Sequence, residues 1–260
     1  MTIRVARYPY LNSEPFYFDM ARRGGFDFYQ LVPSAVARAL EEGEVDAGPL
    51  SLVDYFRLED RFQPLAGFCI ATVDRSQSVL FYSTRPITEL SGARIGITPQ
   101  TSTAGQLLKV LLTLKYQVQP EAYVGLKDPN DAFLIIGDEA LARRRAVRGY
   151  PHRYDLGEEW YQWTGLPFVF ARWVTRKDMD PKEFALIEDT LYVGLEDGVD
   201  ALYHLSEPRD DLRMLPRHVM EYIRGFRYFM GLSEYKAAEH FRQYLSQVDP
   251  TVSPISKERA

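Results

Sequence analysis

Short apolar segments alternate with segments of helical periodicity through the first two thirds of the chain. Continuous apolar and β-branched runs predict buried strands at Ile3–Ala6, Asp27–Leu31, Glu44–Ser51, Ser78–Ser83, Arg94–Thr98, Ala132–Ile136 and Leu166–Thr175. Apolar stripes between them predict helices at Phe16–Arg22, Ser34–Glu42, Leu52–Leu58, Ala104–Tyr116 and Glu139–Ala146. This alternation favours an α/β fold in which parallel strands are joined by crossover helices.

The last third of the chain is predicted to be mainly helical, at Phe184–Leu205, Arg217–Met230 and Glu234–Gln247. The α/β pattern breaks near Pro86 and again near Arg172. We therefore expect two lobes with a central cleft between them. Residues 1–85 and 176–260, with the C-terminal helices, would form the first lobe, and residues 88–174 the second.

Composition argues against several classes of function. The chain has 260 residues, of which 46% are hydrophobic and 26% charged, as is typical of a globular protein. Its formal net charge of −5 argues against nucleic-acid binding, which needs a basic surface. The single cysteine, Cys69, allows no internal disulfide and lies in an apolar run, so we expect it to be buried. No metal site is expected, because His152, His204, His218 and His240 show no ligand spacing.

Targeting and membrane segments are not predicted. The N-terminus begins at once with a strand and shows no basic segment followed by an apolar stretch, as a signal peptide would. No apolar run reaches the roughly 18 residues of a membrane span. We expect a cytoplasmic protein with a small-molecule ligand, and the pattern leaves the oligomeric state open.

Glycine and small polar residues recur where predicted strands end and helices begin. They are Asn12, Ser51, Thr101, Ser102, Thr103, Gly137 and Asp138. In open parallel sheets, ligands bind beyond the carboxyl ends of strands, where helix N-termini offer N–H groups and partial positive charge. This pattern indicates a site for a polar or anionic small molecule. Ser78, at the start of a dense apolar strand, is either a pocket-lining donor or the partner of a backbone group.

Several motifs resemble those of the menaquinone-biosynthesis chorismate dehydratases, with regular spacing from about residue 3 to 175. They are Arg7-x-Pro9-Tyr10-Leu11-Asn12, Pro33-Ser34, Gly43-Glu-x-Asp46, Pro49-x-Ser51, the strand Ser78–Ser83, Thr98-Pro99, Ile136-Gly137-Asp138-x-Ala-Leu141, Tyr154–Trp160 and Thr164–Phe170. The stretches Gly137–Leu141 and Asp155–Phe168 are the most specific. The segment Asp74–Ser78 departs from the Gly-rich approach expected there.

The resemblance implies a two-lobed periplasmic-binding-protein-like fold of type II that is used as an enzyme. The implied reaction is a hydro-lyase step, in which chorismate loses water to give 3-[(1-carboxyvinyl)oxy]benzoate on the futalosine route to menaquinone. No cofactor and no metal are implied.

We assign roles to the polar residues on this basis. Asn12 and Ser78 are the predicted catalytic residues, which polarise the substrate together with Ser51 from the first lobe. Thr101, Ser102 and Thr103 would clamp a carboxylate, because negative charge spreads into the ring carboxylate in the transition state. Gly137 and Asp138 would line the substrate site. The base is either the substrate's own enolpyruvyl carboxylate or a side chain such as Asp138.

Two other functions are compatible with the pattern. One is the later lyase of the same pathway and fold, which forms 1,4-dihydroxy-6-naphthoate. The sequence offers no well-placed histidine for the proton transfer expected there. The other is a non-catalytic cytoplasmic protein that binds small anions, since fold alone does not specify catalysis.

Overall fold

The computed structural model describes residues 2–200 and 210–251, which divide into two compact units. The first unit runs to Ala71 and resumes from Phe170 to Met230. The second contains Thr72–Val169 and the chain from Gly231 onward. Each unit has its own sheet, and the described chain combines strands and helices as the predicted α/β class requires.

Eleven strands are present in the described residues. In chain order they are β1 (Ile3–Arg7), β2 (Phe26–Gln30), β3 (Ala47–Ser51), β4 (Phe62–Thr72), β5 (Val79–Ser83), β6 (Arg94–Ile97), β7 (Ala122–Gly125), β8 (Ala132–Ile136), β9 (His152–Asp155), β10 (Phe168–Arg176) and β11 (Phe226–Phe229). The first sheet has the order β11-β4-β10-β3-β1-β2. The second has the order β7-β6-β8-β5-β9.

Nine α-helices are present in the same part of the chain. They are α1 (Glu14–Arg23), α2 (Pro33–Glu41), α3 (Leu52–Leu58), α4 (Thr103–Val110), α5 (Gly137–Arg143), α6 (Leu156–Thr164), α7 (Pro181–Asp200), α8 (Pro216–Arg224) and α9 (Leu232–Val248). A π-helical stretch, Leu111–Lys115, continues α4 to the residue before Tyr116, where the predicted helix ends. The predicted helix Phe184–Leu205 corresponds to α7, and its last residues, 201–205, lie outside the described residues.

The observed units differ from the predicted lobes. The first boundary falls inside β4, well before Pro86, whereas the second falls inside β10 between Val169 and Phe170, close to the predicted break near Arg172. Helix α9 belongs to the second unit because Phe241 is fully buried there. Its ring lies 5.9 Å from Trp160 and 5.0 Å from Phe168, between ring centroids. These aromatic contacts place α9 in the second unit, although the sequence order had suggested that it belongs with the other C-terminal helices in the first.

Four strands were not predicted from the sequence: β4, β7, β9 and β11. The prediction of one helix over Arg217–Met230 was wrong, because α8 ends at Arg224 and β11 begins at Phe226. The Met230 N–H donates to the Gly67 carbonyl at 2.8 Å, which ties this segment to β4. Pairing with an existing strand therefore overrides a local pattern that is compatible with a helix.

The core of the first unit is aromatic. Phe16 of α1 lies 5.2 Å from Trp173 of β10 and 6.4 Å from Phe68 of β4, between ring centroids. All three side chains are fully buried. Cys69 is also buried, as predicted. This core fixes α1 against the sheet and so fixes the loop that joins β1 to α1.

Gly48 shows how closely the strands of the first sheet approach. Its φ is +158°, and a Cβ placed on it would lie 2.6 Å from the Cβ of Ala6. Any larger residue would force β3 away from β1. The close pairing of these two parallel strands brings their carboxyl ends to one edge.

Candidate functional site

Two predicted site residues lie at the carboxyl edge of the first sheet. β1 and β3 are parallel neighbours. Asn12 lies in the 3₁₀ turn Leu11–Ser13 that follows β1, and Ser51 is the last residue of β3. Both side chains are buried. Within this unit the structure therefore brings them to the edge where ligands of open α/β sheets bind.

Hydrogen bonds to backbone groups fix the loop from Tyr8 to Ser13. The Ser13 hydroxyl lies 3.0 Å from the Tyr8 carbonyl oxygen and 2.8 Å from that of Tyr10. The Tyr8 N–H donates to the Tyr17 hydroxyl at 3.2 Å, and that hydroxyl donates to the Ala6 carbonyl at 3.2 Å. The loop is thus fixed through its backbone. Among the described residues, the Tyr8 hydroxyl and the Asn12 Oδ1 atom have no hydrogen-bond partner.

Ser51 has a structural task of its own. It is the N-cap of α3, where its Oγ accepts from the Asp54 N–H at 3.3 Å. The same hydroxyl donates to the Asp54 carboxylate at 2.6 Å. Its hydroxyl proton is therefore engaged by Asp54 in this structure. The predicted contact between Ser51 and a substrate stays a prediction.

Ser78 lies in the second unit, whereas the sequence placed it on the first lobe with Asn12 and Ser51. It immediately precedes β5, which pairs with β8 in an antiparallel register that sets Val79 opposite Ile136. The Gly137 N–H donates to the Ser78 carbonyl at 2.8 Å. The structure therefore brings Ser78, Gly137 and, as the next residue of α5, Asp138 together. This proximity results from the pairing of β5 with β8, which the sequence alone does not show.

The Asp155 carboxylate organises the turn formed by Ser76, Gln77 and Ser78. Asp155 accepts from the Ser76 N–H at 2.9 Å, the Ser76 hydroxyl at 2.9 Å and the Gln77 N–H at 2.5 Å. It also caps α6 by accepting from Gly157 N–H at 2.9 Å. Burial raises the pKa of the Asp155 carboxyl, and the donors of Ser76 and Gln77 oppose that rise. One carboxylate thus joins the turn to the start of α6.

The turn contains a backbone conformation that favours glycine. Gln77 has a φ of +58°, in the left-handed region. This is the segment in which the sequence departs from the Gly-rich approach. The N–H donors that Asp155 binds hold the residue in this conformation. Inside the turn, the Ser78 hydroxyl donates to the Ser76 carbonyl at 3.3 Å.

Thr101 and Ser102 lie between β6 and α4, and Thr103 is the first residue of α4. β6 is parallel to β8, so this segment and Gly137 follow neighbouring strands at one edge of the second sheet. Helix α4 begins at Thr103, with Ser102 as the N-cap residue. The Ser102 side chain makes no capping hydrogen bond. The first N–H groups of α4 face the carboxyl edge of the sheet, where an anion is favoured.

A cavity of about 190 Å³ adjoins the turn within the second unit. Its lining combines Gln77 and Asp155 with the basic side chains Arg75, Arg144 and Arg153. None of the predicted site residues lines this cavity. Asn12 and Ser51 belong to the first unit, and the predicted residues of the second unit, Ser78 among them, lie outside the lining of this cavity.

Sequence reasoning missed three residues of these neighbourhoods. Tyr8 and Arg172 are buried in the first unit, and Asp155 supports the turn of the second. The Arg172 guanidinium lies 5.0 Å from the ring centroid of Tyr55, and it donates to the Ala66 carbonyl at 3.4 Å. A charged residue inside the apolar strand Leu166–Thr175 was the available signal for Arg172. Asp155 stands in a specific stretch of the resemblance but received no role, and nothing in the local pattern singles out Tyr8.

Among residues 2–200 and 210–251, no group of three His, Cys, Asp or Glu side chains is arranged to hold a metal ion. His204 lies outside this part of the chain. In the same residues, none of the helices combines the length and the apolar character that a membrane crossing requires.

Comparison with known sequences identifies a family. The family model described as menaquinone biosynthesis matches residues 3–247. The chain is 29% identical to a chorismate dehydratase of Thermus thermophilus, and the match covers 85% of this chain and 90% of that protein.

Solved structures show the fold at low sequence identity. A protein of Archaeoglobus fulgidus is 17% identical, with a TM-score of 0.69 and coverage of 96% of this chain and 98% of that one. The alkanesulfonate-binding protein of Xanthomonas axonopodis pv. citri is 12% identical, with a TM-score of 0.68 and coverage of 97% and 94%. The periplasmic aliphatic sulphonate-binding protein of Escherichia coli is 11% identical, with a TM-score of 0.62 and coverage of 98% and 94%. The chain therefore has the periplasmic-binding-protein-like α/β fold that the resemblance implied.

Proposed function

We propose that this chain, which belongs to the menaquinone biosynthesis family, is a chorismate dehydratase. The likeness to the Thermus thermophilus chorismate dehydratase is the single observation that carries this proposal. The fold agrees with it, because small hydroxyl and amide groups lie at the carboxyl edges of both sheets, where such folds bind ligands.

The proposed reaction converts chorismate into 3-[(1-carboxyvinyl)oxy]benzoate and one water molecule. The C–H bond breaks at the ring carbon that bears the enolpyruvyl ether. Its electron pair forms the new ring double bond, while the neighbouring carbon releases its hydroxyl group, which leaves with a proton as water. The ring carboxylate acidifies this hydrogen through the diene, and aromatisation drives the elimination.

Two groups of residues are proposed to act on this substrate. In the first unit, Asn12 orients the departing hydroxyl, because its amide can donate to one group and accept from another. In the second unit, Ser78 donates to an oxygen on which charge grows, and Thr101–Thr103 bind the ring carboxylate. Preorganised donors of this kind lower the barrier because they match the charge of the transition state.

The proton is proposed to leave to a carboxylate. Asp138 lies in the first turn of α5, where a charged carboxylate interacts favourably with the helix dipole. Its side chain is also half-exposed. Both observations favour the substrate's own enolpyruvyl carboxylate, which would make the elimination substrate-assisted.

The direct test is to mix the purified protein with chorismate. The diene absorbance should fall with time, and mass spectrometry should find a product lighter by one water. The Ser78→Ala variant serves as the matched control, because it should bind chorismate but convert it far more slowly. Binding without turnover in the unaltered protein would instead indicate a small-anion binding protein. Turnover of the later intermediate in place of chorismate would indicate the naphthoate-forming lyase.

A cytoplasmic location remains part of the proposal, to be checked by cell fractionation.

A further inference from the structure

Two buried polar atoms in one loop lack a partner among the described residues. Tyr8 is 4% exposed and Asn12 is 9% exposed. The hydroxyl of the first and the Oδ1 of the second make no hydrogen bond to any described residue. A buried polar group without a partner destabilises the folded state. Two of them in the one loop from Tyr8 to Ser13 need a functional reason.

Mobility of the loop does not account for these two unpartnered atoms. The backbone between Tyr8 and Ser13 is bound by the Ser13 hydroxyl, and the Tyr8 N–H is bound by Tyr17. The Tyr8 and Tyr10 rings are in contact range, with centroids 6.2 Å apart. The polar atoms of Tyr8 and Asn12 are thus presented by a fixed loop, as expected for groups that a ligand satisfies.

The two atoms differ in what they can bind. Burial raises the pKa of Tyr8 well above its ordinary value, and Tyr17, Asp54 and Tyr10 add to this rise. The phenol therefore stays protonated and can donate. Asn12 Oδ1 can only accept. A carboxylate offers acceptors alone and would leave Asn12 Oδ1 without a donor. An alcohol both donates and accepts, and it satisfies both atoms.

We propose that Tyr8 and Asn12 together bind the alcohol group of the substrate, with the Tyr8 hydroxyl donating to the alcohol oxygen and the alcohol donating to Asn12 Oδ1. The inference rests on the proposed function, in which this alcohol is the group that departs as water. It makes Tyr8 a specificity-determining residue that sequence motifs did not single out. It also separates an alcohol site in the first unit from the carboxylate contacts proposed for the second.

The test uses Tyr8→Phe, which removes one oxygen and keeps the ring. With chorismate, kcat/KM should fall by about threefold to tenfold, the effect of one lost hydrogen bond. The dehydrated product lacks the alcohol, so its inhibition constant should stay unchanged. A kcat/KM within twofold of the unaltered protein would overturn the inference. So would an inhibition constant that weakens by the same factor as kcat/KM, because the damage would then not be specific to the alcohol.

A second measurement is independent of turnover. Without ligand, Tyr8→Phe should raise the melting temperature by a few degrees, because it removes a buried group that has no partner. Tyr17→Phe is the matched control and should lower the melting temperature, since the Tyr17 hydroxyl has two partners. A decrease in Tyr8→Phe as large as in Tyr17→Phe would overturn the inference. Failure of the unaltered protein to dehydrate chorismate would refute the proposed function, and the melting experiment would still decide whether the Tyr8 hydroxyl awaits a ligand.

Discussion

The Tyr8–Ser13 loop of the first unit and the Ser76–Ser78 turn of the second treat their polar groups in opposite ways. In the loop, the Tyr8 N–H and the Tyr8 and Tyr10 carbonyls are hydrogen-bonded, while two side-chain atoms, on Tyr8 and Asn12, lack partners among the described residues. In the turn, the backbone N–H groups of Ser76 and Gln77 need a carboxylate from α6's N-cap, Asp155. Short-range contacts from Ser13 and from Tyr17 of α1 hold the loop, which offers the side chains of Tyr8 and Asn12. The turn is held by a residue that is distant in the chain, Asp155. We expect substitutions in the loop to affect the substrate and substitutions around the turn to affect the fold as well.

The largest expected effect is a loss of turnover when the proposed catalytic residue of either region is replaced. Asn12→Ala and Ser78→Ala should each reduce kcat by roughly 10²–10³, the scale of one lost oxyanion donor, with little change in KM. Steady-state kinetics with chorismate measure both constants. Near-native kcat in both variants would remove these residues from the mechanism and leave the fold unaffected.

The second effect tests whether Asp155 positions Ser78. Asp155→Ala should lower the free energy of unfolding by about 3 kcal/mol, because it removes a helix cap and leaves buried N–H groups unpaired. It should also lower kcat about tenfold to 100-fold with a smaller change in KM, since Ser78 loses its position. Asp155→Asn should recover part of kcat, because one oxygen can still accept.

The control for Asp155 is Asp131→Ala. Asp131 accepts from the Arg94 N–H at 2.8 Å, at the start of β6 and therefore at the opposite edge of the same sheet. The Asp131→Ala variant should be less stable than the unaltered protein, with no change in kcat. If both aspartate variants lowered kcat in proportion to stability, Asp155 would have a structural role only.

A smaller effect is expected at the start of α4. Ser102→Ala should raise KM for chorismate by a few-fold and leave kcat nearly unchanged, because much of the proposed contact comes from backbone N–H groups that the substitution keeps. Stability should not change, since the Ser102 side chain makes no capping hydrogen bond. A large loss of kcat would show that the hydroxyl itself acts in the transition state.

The smallest effect concerns strain in the turn. Gln77→Gly should stabilise the protein by about 0.5 kcal/mol, because relief of the left-handed conformation exceeds the entropy that glycine adds to the unfolded chain. Gln77→Ala is the control and should give no gain, since it keeps the strained φ. Chemical denaturation compares the two. Equal stability of both variants would mean that the turn is not strained at this residue.

The local pattern determined most of the secondary structure. Strand Ala132–Ile136 and helix Leu52–Leu58 have the predicted bounds, because an apolar run and a helical stripe are properties of adjacent residues. The edges where Asn12 and Ser51 lie also follow from sequence, since parallel strands end at one side of a sheet. The helical pattern gave a wrong prediction for Phe226–Phe229, because pairing with β4 makes this segment a strand.

Tertiary structure decided everything that depends on residues far apart in the chain. Asp155 reaches Ser76 across 79 positions, and Phe241 assigns α9 to the second unit through Trp160. Neither contact leaves a trace in the spacing of neighbouring residues. Tyr8 is the clearest case, because an ordinary loop tyrosine becomes a candidate ligand contact only once burial and a missing partner are known. The physical reason is that burial and hydrogen-bond satisfaction are properties of the packed chain, whereas periodicity is a property of the sequence.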